Sequence, residues 1–130
     1  MSKLKFTYKP KKDEVANLKH FIFFCKKNLK LDDLPKEFIF HHERGDHQMT
    51  TGCHEMHNNN DIIVRTITGN RHFIDIIRTI AHELVHYKQY SLGKIKKHVQ
   101  DIGGPIEDEA NALAGRLVKK YLYKNQNIIK

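Results

Sequence analysis

Tryptophan is absent from this 130-residue chain, and cysteine (two) and proline (three) are scarce. Cys25 and Cys53 are too few for a disulfide scaffold. No stretch approaches the ~20 apolar residues that a membrane span needs. The opening segment, MSKLKFTYKPKKDE, lacks the apolar run and small-residue cleavage site of a secretory signal. These absences together predict a cytoplasmic chain with reduced thiols and no membrane partner. Internal repeats and low-complexity segments are also missing, and the recurrence of aliphatic and aromatic residues along the chain argues against disorder. With 39% hydrophobic and 29% charged residues, the length suits a single domain over residues 1–130 with one core.

What the chain has in excess is positive charge and histidine. The formal net charge is +8, and ten residues are histidine. The lysines fall at Lys9–Lys12, Lys26–Lys30, Lys94–Lys97 and Lys119–Lys124 instead of massing in one tail. Such a distribution speeds encounters with polyanions but specifies none, and solvated lysine faces account for it.

Apolar residues at Val15, Leu18, Ile22, Cys25 and Leu29 recur at steps of three and four, which predicts a helix capped by Asp13 and running to about Leu29. Its apolar load favours a core helix over one lying on a membrane surface. Short strands are expected at Glu37–Phe40, Gln48–Met56 and Asp61–Thr66, the last two joined by a turn at Asn58–Asn60. A helical pattern follows from Asn70 to Leu92, with Gly93 as its stop. Pro105 opens a final helix that carries Glu107, Asp108 and Glu109 in its first turn and ends near Tyr123. The fold class is α+β: an N-terminal helix, a small, mostly antiparallel three-stranded sheet and two further helices.

Inside the third helical region lies His82-Glu83-Leu84-Val85-His86, an H-E-x-x-H pattern. Two histidines four apart stand one turn above each other, so both imidazoles can reach one metal ion. Glu83 lies about 100° round the helix from His82, beside the metal, where it can take a proton from water. A histidine-rich chain produces near misses, as the H-E-x-H run His54-Glu55-Met56-His57 shows. Helix context and a third ligand must therefore decide.

A catalytic zinc site takes three protein ligands and keeps one position open. Downstream candidates are His98, Asp101, Glu107, Asp108 and Glu109. On the final helix, Ile106, Ala110, Leu113, Ala114, Leu117, Val118 and Tyr121 mark the buried face. Glu107 lies about 50° from the centre of that arc and Glu109 about twice as far away. A carboxylate on an apolar face needs a partner, and a cation at His82 and His86 supplies one. Glu107 is thus the first choice as third ligand and Glu109 the alternative. Asn111, four residues after Glu107, is placed to hold one of the histidines in orientation.

HELVH followed by E-x-x-A-N-x-L-A-x-x-L-V resembles the gluzincin branch of the zincin metallopeptidases, and more narrowly is similar to the ImmA/IrrE-type peptidases. Glu107, Ala110, Asn111, Leu113, Ala114, Leu117 and Val118 fill the downstream positions. The likeness covers roughly the C-terminal half. It implies a minimal zincin fold with an active-site helix and a C-terminal ligand helix, Zn2+ on His82, His86 and Glu107, Glu83 as general base, and a peptide or protein substrate. Val85 replaces a frequent glycine, Leu113 replaces phenylalanine, and Lys119-Lys120 stand where Met-Pro is usual. Gln89 and Leu92 occupy the positions that a metzincin extension would fill with glycine and histidine.

Peptide hydrolysis at such a site also needs a donor for the developing oxyanion, and Tyr90 and His98 are the candidates. The strand at Gln48–Met56 is a candidate to pair with an extended peptide. His41, His42, His47, Cys53, His54 and His57 gather at the expected hairpin, where a polar rim is favoured over a second zinc site. His20 and His72 are expected at the surface or its boundary. Two competing readings remain: a zinc-binding interaction protein without turnover, and a SprT-like protease associated with nucleic acid. Oligomeric state is not readable from the sequence.

Overall fold

The computed structural model describes residues 2–43, 51–56, 62–92 and 104–125. Its elements are β1 (Lys3–Phe6), α1 (Lys12–Asn28), β2 (Glu37–His41), β3 (Gly52–Met56), β4 (Ile62–Ile67), α2 (Phe73–Ser91) and α3 (Pro105–Lys124). The strands form one sheet in the order β1-β2-β4-β3. β1 pairs parallel with β2, β2 pairs parallel with β4, and β3 pairs antiparallel with β4 at the edge.

The α+β class holds, but the sheet has four strands and is mixed, not three-stranded and mostly antiparallel. The strand not anticipated is β1. Lys3 and Lys5 are exposed while Leu4 and Phe6 are half-buried, so lysines mask a short alternating pattern. Parallel pairing of β1 with β2 requires a crossover, and α1 supplies it.

Alternation then assigns the faces. Phe38 and Phe40 on β2 and Val64 and Thr66 on β4 are fully buried. Leu18, Phe21, Ile22, Cys25 and Leu29 bring the apolar stripe of α1 into the same core, leaving Phe23 exposed. The core-helix expectation therefore holds for α1, although Asp13 lies in its first turn and Lys11 is the flanking residue. Glu14 accepts a hydrogen bond from the Lys11 backbone N–H at 3.3 Å. Among the described residues, no helix is long and apolar enough to cross a membrane.

α2 contributes Ile76, Ile77, Ile80, Ala81, Leu84 and Val85 to the core. Its start is later than the apolar pattern implied, at Phe73, because the Nδ1 of His72 accepts from the Ile74 N–H at 3.0 Å and caps the helix. Tyr87 is buried and donates to Asp33 Oδ1 at 2.8 Å; burial raises its pKa.

α3 lies against α2, with Ala110 and Ala114 fully buried on its inner face. Small side chains there let the helix axes approach closely. Tyr121 anchors the far end of α3, edge-on to Phe21 with ring centroids 4.9 Å apart. His20 meets the Tyr121 hydroxyl at 2.7 Å, a structural contact at the boundary of the core.

Gly52, the first residue of β3, brings that strand against α2. A Cβ at this position would fall 2.5 Å from Thr79 Cγ2 and 3.0 Å from the Arg65 carbonyl oxygen. Only a residue without a side chain permits this approach. The edge strand consequently runs beside the polar side of α2.

Candidate metal centre

Helical geometry places His82 and His86 on one stripe of α2, and the close packing of α3 brings Glu107 from its first turn to face them. Glu107 Oε1 lies 2.7 Å from His82 Nε2, and Oε2 lies 3.1 Å from His86 Nε2. The two Nε2 atoms are 3.0 Å apart. All three side chains offer a ligand atom within 4.8 Å of the others, and they form the metal-ligand cluster of the described residues.

The donor set fits a divalent transition metal. Ligands at ~2.1 Å in tetrahedral array stand about 3.4 Å from one another, so the observed separations need to open by roughly 0.3 to 0.7 Å. The second ring nitrogen of His86 supports the fit. Its Nδ1 lies 2.7 Å from Gln89 Oε1, and an amide oxygen only accepts, so Nδ1 carries the proton and Nε2 keeps its lone pair for the site. Gln89 is itself fixed, because its Nε2 donates to the Ile106 carbonyl at 3.0 Å and to Glu109 Oε1 at 2.8 Å.

This arrangement redistributes the roles expected of the neighbours. Glu109 stands outside the ligand cluster and holds the Gln89 amide. The residue that orients a histidine is Gln89, not Asn111, which lines the cleft in front of the site. Gln89 was not anticipated. Its signal was available, since it follows His86 by three residues on the same helical face and is only 1% exposed. Replacing Gln89 by alanine is expected to weaken metal binding by about 10- to 100-fold, as read by competition against a chromogenic chelator. Unchanged affinity would show that the amide does not orient His86.

The cleft in front of the ligands has a volume of about 450 Å³. His82, Glu83 and Glu107 open onto it, together with Arg71, Arg78, Thr79 and Asn111. Glu83 is 7% exposed and, next to His82 on α2, lines the same cleft. Thr51, which precedes β3, also lines the cleft, so the edge strand borders it. Arg71 ties the N-terminal end of α2 to β4 by donating to the Ile67 carbonyl at 2.7 Å, the Asp75 carbonyl at 2.9 Å and Thr79 Oγ1 at 2.7 Å. Its pKa is lowered, first by burial, against an opposing effect of Asp75.

Tyr90 is half-buried and is not among the cleft-lining residues. His98 and Asp101 lie outside the described residues, as do His47 and His57 and the side chain of His54. At the sheet edge, Arg65 binds Glu55 through Nε, and its Nη1 lies 3.0 Å from His41 Nε2. Burial, reinforced by Glu55 and Glu83, pushes the Cys53 thiol up to about 11. Cys53 and His41 are buried, so these two do not stand on an exposed rim.

Comparison of the chain with protein-family models, with curated proteins and with solved structures finds no match.

Proposed function

We propose that this chain is a zinc-dependent metallopeptidase of the gluzincin type, similar to the ImmA/IrrE peptidases. The observation that carries the reading is the convergence of His82, His86 and Glu107 from two helices, with the buried Glu83 opening onto the same cleft. The H-E-x-x-H spacing and the E-x-x-A-N pattern on α3 add to it. Zinc held by these three residues supplies a Lewis acid that acidifies water and polarises the scissile carbonyl.

The remaining work falls to the chain's own residues. Glu83 accepts the proton of the attacking water at its carboxylate and returns it to the leaving amine. Gln89 keeps the His86 ring in the tautomer that turns Nε2 toward His82 and Glu107. β3, the edge strand beside α2, offers backbone groups for an extended peptide to pair with. A purely structural site would surround its metal with four ligands and would have no use for Glu83 at the lip of an open cleft.

The test is incubation of the zinc-loaded chain with a broad peptide library, followed by mass spectrometry. Cleavage at defined bonds, lost on chelation and restored by zinc, is expected. A fully zinc-loaded chain that cleaves nothing would favour a metal-binding interaction protein.

A further inference from the structure

The charges along the cleft are unequally engaged. Arg71 spends three donor contacts on protein acceptors, and Asp75 stands beside it as a compensating charge. Arg78 lines the same cleft, is exposed, and has no hydrogen bond or ion pair to any described residue. It lies four residues before His82, on the stripe that His82 and His86 continue.

The facing stripe on α3 runs Glu107, Asn111, Gly115, again at intervals of four. Since α3 runs opposite to α2 at the ligands, Glu107 meets the histidines and Gly115 meets Arg78. A Cβ built on Gly115 would touch one group, the Arg78 guanidinium, with Nη2 3.8 Å away. Glycine in the middle of a 20-residue helix costs helix stability. At this position the missing side chain lets the Arg78 guanidinium lie close to the α3 backbone, while the exposed fork keeps donors that no described residue engages.

We propose that Arg78, lying against Gly115 at the rim of the cleft, forms a carboxylate-binding subsite, so that the substrate is a peptide carrying a negative charge near the scissile bond. This rests on the peptidase reading for the word substrate, but the subsite itself does not require turnover. A guanidinium matches a carboxylate through two parallel hydrogen bonds. One helical turn separates Arg78 from His82, about 6 Å along the axis, which is close to the span of two extended residues. The bound group is therefore an Asp or Glu side chain about two residues from the cleaved bond, or the terminal carboxylate of a peptide ending there.

The probes are fluorescein-labelled heptapeptides in which one Glu is walked through the sequence. Each is paired with its Gln counterpart and made with a free-acid or an amide C-terminus. Cleavage is measured with the zinc-loaded wild type, and equilibrium binding by anisotropy with zinc-loaded Glu83→Gln; metal analysis of every variant accompanies both. Glu is expected to be preferred over Gln by about tenfold at one register, or free acid over amide by a similar factor, with the preference shrinking as salt rises. Arg78→Gln should bring the ratio close to one, Arg78→Glu should invert it in favour of Gln, and Gly115→Glu should occupy the arginine internally and erase it.

Cleavage with no acid preference, or with a preference that Arg78→Glu leaves in place, overturns the subsite while the peptidase reading stands. Acid-selective, Arg78-dependent binding without cleavage does the reverse. Neither cleavage nor binding overturns both.

Discussion

Glu83→Gln is expected to keep one metal ion per chain and to lower peptide cleavage by about 10²- to 10⁴-fold, the range that a lost general base accounts for. The substitution is nearly isosteric, and Glu83 is buried beside the ligands instead of among them. Packing and metal affinity therefore change little, while the amide cannot accept the water's proton. Steady-state kinetics on a single identified peptide, with metal analysis of the same preparation, checks this. A fall in kcat with KM maintained places the loss in the chemical step. Wild-type rates in the fully metal-loaded variant would remove Glu83 from the mechanism.

Metal removal should have the second large effect, on stability. Saturation at about 1,000 times Kd stabilises a native state by ~4 kcal/mol when the unfolded chain does not bind. For a domain of this size that corresponds to a rise in Tm of roughly 10–20 °C. His86→Ala and Glu107→Ala should abolish most of this increment at the same zinc concentration. The apo form of Glu107→Ala should itself melt slightly lower, because Glu107 lies in the first turn of α3, where a carboxylate suits the helix dipole. The decisive quantity is therefore the metal-dependent shift in each variant and not its absolute Tm. A shift preserved in both variants would place the metal elsewhere.

The site was legible in the sequence to the extent that its geometry is local. His82, Glu83 and His86 share one helix, so a rotation of about 100° per residue sets their relation before any packing is known. Glu107 was reachable because a carboxylate at the margin of an apolar helical face demands a partner. Both inferences failed to anticipate Gln89. Its role depends on the Ile106 carbonyl and Glu109, which only the docking of α3 brings within reach.

The sheet was legible strand by strand but not as a sheet. Alternation marked Glu37–Phe40 and Asp61–Thr66, and these match β2 and β4 closely. Nothing local specified that β2 and β4 pair parallel or that β1 adds to the other side of β2. Pairing partners distant in sequence are chosen by which apolar faces can cover the core together.

The sequence by itself determined the α+β class, the helix that carries the two histidines, and the face of α3 on which Glu107 lies. Each follows from periodicity within a single element, and periodicity is a property of neighbours in the chain. Tertiary structure alone decided that Glu107 meets both histidines and that Gln89 fixes the His86 ring. It alone brought Gly52 to seat the edge strand on α2 and left Arg78 exposed on the cleft beside Gly115. Those relations join residues from separate elements, and their distances are set by how closely α2, α3 and β3 pack.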